Sequence, residues 1–303
     1  MSYSFDPAGP SVQAQMRRIA LEVLDRALKT PVALRTAAQA DPAEVHALRK
    51  ATKKLRGLLR LIKPSFAQFG PANQALRDAA RLLAPLRDAE VMLATLARLE
   101  AQIDPPADTA ALHIHLDARI AMLRSPEQLA EAAASLRACL VPLRAEIPGW
   151  RLTGKGFAAL EPGLATSWRA ARRGLKRAGR AFAADLPAEP FHEWRKVVKH
   201  HSYHARLLQP VWPAMMAPHF AAADALGEVL GEHNDLDGLV AFLRASEHGL
   251  SKAAQRRLIA RAERRRHKLA KQALADGRRL FIDPPDALCA RWRGWWQEAR
   301  HRG

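Results

Sequence analysis

The sequence predicts an all-α fold of two homologous helical bundles, each of four-helix type and related by a pseudo-twofold axis. Three observations over its 303 residues carry this prediction. Ala, Leu, Arg and Glu dominate and β-branched residues are few, which favours helix. Apolar residues recur at intervals of three and four rather than two. The third observation is an internal repeat. Pro42-Ala43-Glu44-Val45-His46-Ala47-Leu48-Arg49-Lys50 returns as Pro187-Ala188-Glu189-Pro190-Phe191-His192-Glu193-Trp194-Arg195-Lys196, and Leu83-Ala84-Pro85-Leu86-Arg87-Asp88 returns as Leu230-Gly231-Glu232-His233-Asn234-Asp235. His46 and His192 lie 146 positions apart and Asp88 and Asp235 lie 147 apart, a slip of a single residue over half the chain. A division near Pro148 follows, with 1–148 as the first half and 149–303 as the second.

In chain order, the spacing predicts helices over 11–29, 42–63, 72–101, 108–124, 126–146, 156–183, 189–209, 215–247, 251–276 and 286–301. The second begins on Asp41 as N-cap, with Pro42 at the first helical position and Glu44 at the third. Pro64 and Pro71 separate it from the third, Pro148-Gly149 separates the halves, Pro210 and Pro213 end the seventh, and Pro284-Pro285 precedes the last.

At 49% hydrophobic and 26% charged, the chain has enough apolar material for two domain cores, which excludes a disordered tail or a small disulfide scaffold. Its 48 Lys and Arg against 30 Asp and Glu leave a net charge of +18. Self-repulsion of that size points to a polyanionic partner. Cys139 and Cys289 are the only cysteines, so a disulfide framework is not expected and a reducing compartment fits. The N-terminus, MSYSFDPAGP, lacks a signal peptide's basic and apolar regions, and no apolar run reaches membrane-spanning length. The expectation is a soluble, cytoplasmic protein.

The positive charge is arranged in stripes. At about 100° per residue, His46, Arg49, Lys53, Arg56 and Arg60 share an arc of about 80°, with Leu48, Leu55, Leu58 and Leu59 nearly opposite. His192, Arg195, Lys199, Tyr203 and Arg206 repeat the pattern. Two further helices carry Arg169, Arg173, Lys176 and Arg180, and Arg257, Arg261, Arg264, Lys268 and Lys271. An ordinary solvated face interleaves both signs at i and i+4. Residues 49–63 instead hold seven bases and no acid. Guanidinium forks and ammonium groups on rigid helices suit phosphate oxygens. Aromatic residues are only 6% and Tyr203 alone lies on a stripe, so stacking on nucleobases is poorly served. A polyphosphorylated chain is the partner this chemistry predicts, with a nucleic acid as the alternative.

Halves of the form His-x-x-Arg-Lys-x-x-Lys, followed after a long helix by Leu-x-x-x-Arg/Asn-Asp, resemble the CHAD family, the conserved histidine α-helical domain, over essentially the whole chain. The resemblance implies two four-helix bundles facing across a basic surface that binds inorganic polyphosphate and can place the protein on polyphosphate granules. It carries phosphate contact over to His46, Arg49, Lys50 and Lys53, with His192, Arg195, Lys196, Lys199 and Tyr203 as counterparts. One departure stands out. Family members often place an apolar residue and an arginine before the tyrosine, whereas this chain has His201 and Ser202, which predicts weaker binding by the second stripe.

His200 and His204 are four apart on one helix, a metal-ligand spacing, but no cysteine or carboxylate nearby completes a site and His201 aligns with core-facing Leu55, so core or boundary histidines are expected. His46 and His192 head their stripes and are read as hydrogen-bond donors to phosphate, tunable in charge. Asp88 and Asp235 are read as supports holding basic side chains in place, the other option, shared with Asp237, being a divalent ion bridging to phosphate. Gly149-Trp150-Arg151-Leu152-Thr153-Gly154-Lys155-Gly156 nearly spells a P-loop, but Gly156 replaces the magnesium-binding hydroxyl and the segment follows a helix. It reads as a linker. The CHAD domain is often joined to a triphosphate-cleaving CYTH domain bearing a Glu-x-Glu-x-Lys motif, which is absent from this sequence. The expectation is a binding protein without cofactor or metal, not an enzyme.

Overall fold

The computed structural model describes residues 3–29, 42–102, 108–245 and 248–302, with side chains in the second span described from His46 onward. Among the described residues it is helical and contains no strand. Eleven α-helices follow in order: α1 (Val12–Ala27), α2 (Pro42–Ile62), α3 (Phe69–Leu82), α4 (Ala84–Glu100), α5 (Ala110–Leu123), α6 (Pro126–Glu146), α7 (Glu161–Ala183), α8 (Glu189–Leu207), α9 (Pro213–Ala245), α10 (Lys252–Leu280) and α11 (Pro285–Arg302). The N-cap read at Asp41 lies outside the described residues. Elsewhere the starts are set by short hydroxyl side chains: Ser11, Ser125 and Ser251 each accept from the backbone amide three residues on, satisfying a donor the helix leaves free.

Proline accounts for the largest difference from the expected elements. The stretch 72–101 is two helices, broken at Leu83, because Pro85 lacks an amide donor and its ring displaces the carbonyl four residues earlier. Pro71, expected in a turn, sits in the first turn of α3, where no intrahelical donor is needed. Pro142 and Pro218 are carried inside α6 and α9. The segment read as a linker, 149–156, joins two short 3-10 turns, Ile147–Gly149 and Gly156–Ala159, through a non-helical stretch, with Gly154 and Gly156 at φ +86° and +54°, a region glycine enters without a Cβ clash. It is pinned where the Thr153 amide donates to the Ser65 carbonyl at 2.8 Å and Arg17 donates to the Trp150 carbonyl.

The apolar faces fill two cores. The larger joins residues from both sides of Pro148, among them Met16, Leu24, Leu58, Leu59, Leu136, Leu164, Trp168, Trp194, Leu230 and Trp292. The smaller is made by Leu96 and Leu99 of α4, Leu112 and Leu116 of α5, Leu236, Leu239 and Leu243 of α9, and Leu258 and Leu269 of α10. Trp194 is gripped between two glycines. A Cβ on Gly174 would stand 2.6 Å from its ring and one on Gly277 2.5 Å, so α7 and α10 approach α8 closely only because both positions lack side chains. Among the described residues no helix is long and apolar enough to cross a membrane.

Candidate functional site

Helices α2 and α8 cross where Gly57 meets Tyr203. A Cβ at Gly57 would lie 2.7 Å from that of Tyr203, so glycine permits the close approach. His204 Nε2 donates to the Gly57 carbonyl at 3.0 Å across the same crossing. The contact falls in the register of the sequence repeat, 57 against 203, and the residues one and two turns earlier follow suit. Lys53 therefore feels the charges of Lys199 and Arg195 of α8, and Arg49 that of Arg195.

The result is a cationic cluster drawn from three helices. Partial desolvation, then Arg195, Arg49, Lys199 and Arg87 of α4, push the Lys53 ammonium down to about 8, although the residue keeps contact with solvent. Burial, Arg87 and Arg195 lower Arg49, opposed by Asp88 and Glu90. Burial, Arg87, Lys50, Lys53 and Arg49 hold His46 below its ordinary value. In the free protein the neighbours of His46 are cations, which oppose its protonation. Lys199 is half-buried between two carboxylates, Asp224 at 2.8 Å and Glu228 at 2.9 Å, which outweigh burial and raise it. Two glycines on α9 make room for these side chains, since a Cβ at Gly227 would lie 2.5 Å from Lys199 Cδ and one at Gly231 3.0 Å from Arg195 Nη2. Arg195 Nε is buried without a partner. Burial raises Asp235, with Arg195, Arg98 and Arg87 opposing, and Arg98 of α4 stands 4.0 Å from it. Burial also raises Tyr203.

The structure distributes the remaining sequence-predicted residues elsewhere. Arg56 and Arg60 share the wheel arc of Lys53 but lie beside α3, with Arg56 Nε donating to Asn73 Oδ1 at 3.3 Å, Arg60 over the Phe69 ring at 5.3 Å, and Arg77 near both. Lys50 is exposed. Lys196 pairs with Glu193, and His192 Nδ1 accepts from Asn234 at 3.2 Å. Arg206 lies 5.2 Å from the Phe220 ring centroid. The α7 stripe of Arg169, Arg173, Lys176 and Arg180 is exposed and separate from the cluster. On α10, Arg257, Arg264 and Lys268 are exposed and Arg261 donates to Gln102 at 3.2 Å. Asp237 pairs with Arg266.

The stripes are thus less uniformly unpaired than the sequence suggested, because Asp224 and Glu228 reach Lys199 from a different helix. Arg87 and Arg98 were missed. Arg87 was within reach, since it precedes Asp88 in the repeated motif. His201, expected in the core, is fully buried, bonded to His219 at 2.7 Å and ringed by Trp168, Phe281 and Trp292.

Fold and site together define an all-helical protein that gathers basic side chains of three helices at the crossing of two repeat-related ones. The CHAD domain family model matches residues 18–244. The chain belongs to the CHAD domain family. It is similar to the crystal structure of the CHAD domain from the plant Ricinus communis, with 19% identity, a TM-score of 0.58, and coverage of 98% of this chain and 95% of that one. It is also similar to PptA from Streptomyces chartreusis, with 16% identity, a TM-score of 0.63, and coverage of 91% and 100%. At these identities the likeness is one of fold. No curated protein matches the sequence.

Proposed function

We propose that the chain binds inorganic polyphosphate, without chemical conversion, at the cluster of Arg49, Lys53, Arg87 and Arg195. One observation carries this reading: Lys53 stands among four cations, and among the described residues neither it nor Arg195 has a carboxylate at ion-pair distance. Like charges held together on rigid helices repel each other in the free protein. A polyanion relieves that repulsion without the helices having to rearrange. Asp88 beside Arg49 and Asp235 beside Arg98 restrain the surrounding guanidinium groups, which leaves fewer rotamers for a ligand to freeze. The family resemblance supports the same ligand and, with it, a cytoplasmic location on polyphosphate granules. A nucleic acid fits less well, because Tyr203, the one aromatic of the stripes, is packed against Gly57 and edge-on to Tyr3.

The test is displacement of labelled polyphosphate by unlabelled polyphosphate, DNA, RNA and ATP. Polyphosphate should displace at a phosphate concentration at least tenfold below that of either nucleic acid. Equal displacement by DNA or RNA overturns the choice of ligand. Release of inorganic phosphate with added magnesium overturns the non-catalytic reading.

A further inference from the structure

A second basic site lies about 100° around α2 from Lys53, at Lys54. There a cavity of about 500 Å³ opens between the N-terminal segment, α1, α2 and α8. Three cations reach it from three helices: Arg26 from the end of α1, Lys54 from α2 and Arg206 from the last turn of α8. They are close enough to feel one another, since burial and then Lys50, Arg206 and Arg26 lower Lys54. Among the described residues none of the three forms an ion pair. Among the described residues the single acid on the wall, Glu22, is engaged by Arg18 at 3.2 Å.

The rest of the lining is apolar. Ile19 and Val23 belong to the main core and form the floor. The Tyr3 ring forms one side, 5.2 Å from the Lys54 ammonium, while its hydroxyl donates to the Lys54 carbonyl at 2.6 Å and offers the cavity no free polar group. The wall is held in place, because the Phe5 amide donates to the Leu207 carbonyl at 2.7 Å. A cationic rim over an apolar floor suits a ligand that is anionic at one end and apolar at the other. The cavity's volume lies in the range of small-molecule pockets, about 300 to 1,000 Å³.

We propose that this cavity binds a small organic phosphate of nucleotide size, its anionic groups on Arg26, Lys54 and Arg206 and its apolar part against Ile19, Val23 and Tyr3. The proposal is independent of what the central cluster binds.

Titration calorimetry at constant salt tests it, with ATP and inorganic tripolyphosphate as probes. Three proteins are compared: wild type, R26A/R206A and R49A/R195A. Arg26 and Arg206 are exposed, so their removal leaves the core intact. R26A/R206A should weaken ATP at least tenfold and leave tripolyphosphate within about twofold, while R49A/R195A should spare ATP. Absence of ATP binding to the wild type overturns the proposal. So does ATP binding that responds to R49A/R195A and not to R26A/R206A, which moves the nucleotide to the central cluster. Tripolyphosphate following ATP in both variants also overturns it, since the apolar floor then selects nothing.

Discussion

Raising the pH from 7 to 9 should weaken polyphosphate binding through Lys53. In the free protein its ammonium titrates near 8 because partial desolvation and four neighbouring cations oppose the charge. A bound polyanion reverses the balance and returns the pKa toward the ordinary lysine value of about 10.4. The free amine is then protonated below about pH 7, half-protonated at 8 and mostly neutral at 9, while the bound amine stays charged throughout. Affinity must therefore be full at pH 7 and fall as pH rises through 8, with protons taken up on binding in between. If only the charged form binds, the linkage amounts to about tenfold between pH 7 and 9. Solvent screening at this exposed amine reduces it to between about threefold and tenfold. Calorimetry in two buffers of different ionisation enthalpy measures both affinity and proton uptake, the latter about half a proton at pH 8. Lys53→Arg is the control, since a guanidinium stays charged across the whole range. Equal wild-type affinity at pH 7 and 9, or an unchanged slope in Lys53→Arg, would refute the reasoning.

Four further outcomes are expected. Replacing Arg49, Lys53 and Arg195 by Ala should cost at least about tenfold in polyphosphate affinity, since each formed charged hydrogen bond is worth about 1.5 to 3 kcal/mol, whereas replacing Arg169, Arg173 and Arg180 on α7 should stay within about threefold. Log affinity against log salt should be linear with a slope near −0.7 per phosphate contact by analogy with single-stranded nucleic acids, and a flat plot rules out charge neutralisation as the source of binding. Gly57→Ala should destabilise by about 1 to 3 kcal/mol in urea unfolding, because the new methyl meets the Tyr203 Cβ at the helix crossing, while Gly227→Ala should cost less, because it meets only the flexible stem of Lys199. Burial sets His204 and His233 to about 4 in the folded state, below the unfolded value of about 6.5, so the stability they contribute is full above pH 6.5 and is lost as pH falls toward 4. Each should cost about 2 kcal/mol between pH 7 and 5, and an unchanged urea midpoint over that interval would show that neither is buried as a neutral ring.

Periodicity made the helices and the core of the site legible because both depend on spacing along one helix. Arg49 and Lys53, and Arg195 and Lys199, repeat at four, and the repeat itself pairs the two sets. The same wheel groups Arg56 and Arg60 with Lys53, since angle around an axis says nothing about which neighbour begins further along it. On either side of Gly57, Arg56 and Arg60 reach α3, where Asn73, Phe69 and Arg77 become their surroundings. Partners from other helices are equally invisible to local spacing. Asp224 and Glu228 stand 25 and 29 residues from Lys199, and nothing near Lys199 in the chain announces them. The break at Leu83 was a matter of local chemistry, legible from Pro85, but obscured because the apolar pattern continues across it.

The smaller core has a consequence for how the chain is made. Leu96, Leu99, Leu112 and Leu116 are covered by Leu236, Leu239, Leu243, Leu258 and Leu269, which a ribosome adds well over a hundred residues later. At about 5 to 20 residues per second, the apolar faces of α4 and α5 wait on the order of ten seconds or more for their cover. During that interval they are open to self-association or to a chaperone, and the loop to be closed afterwards is long. Arg87 and Arg98 lie on α4, so that helix and the cations it brings to the cluster reach their packed position only when this cover arrives.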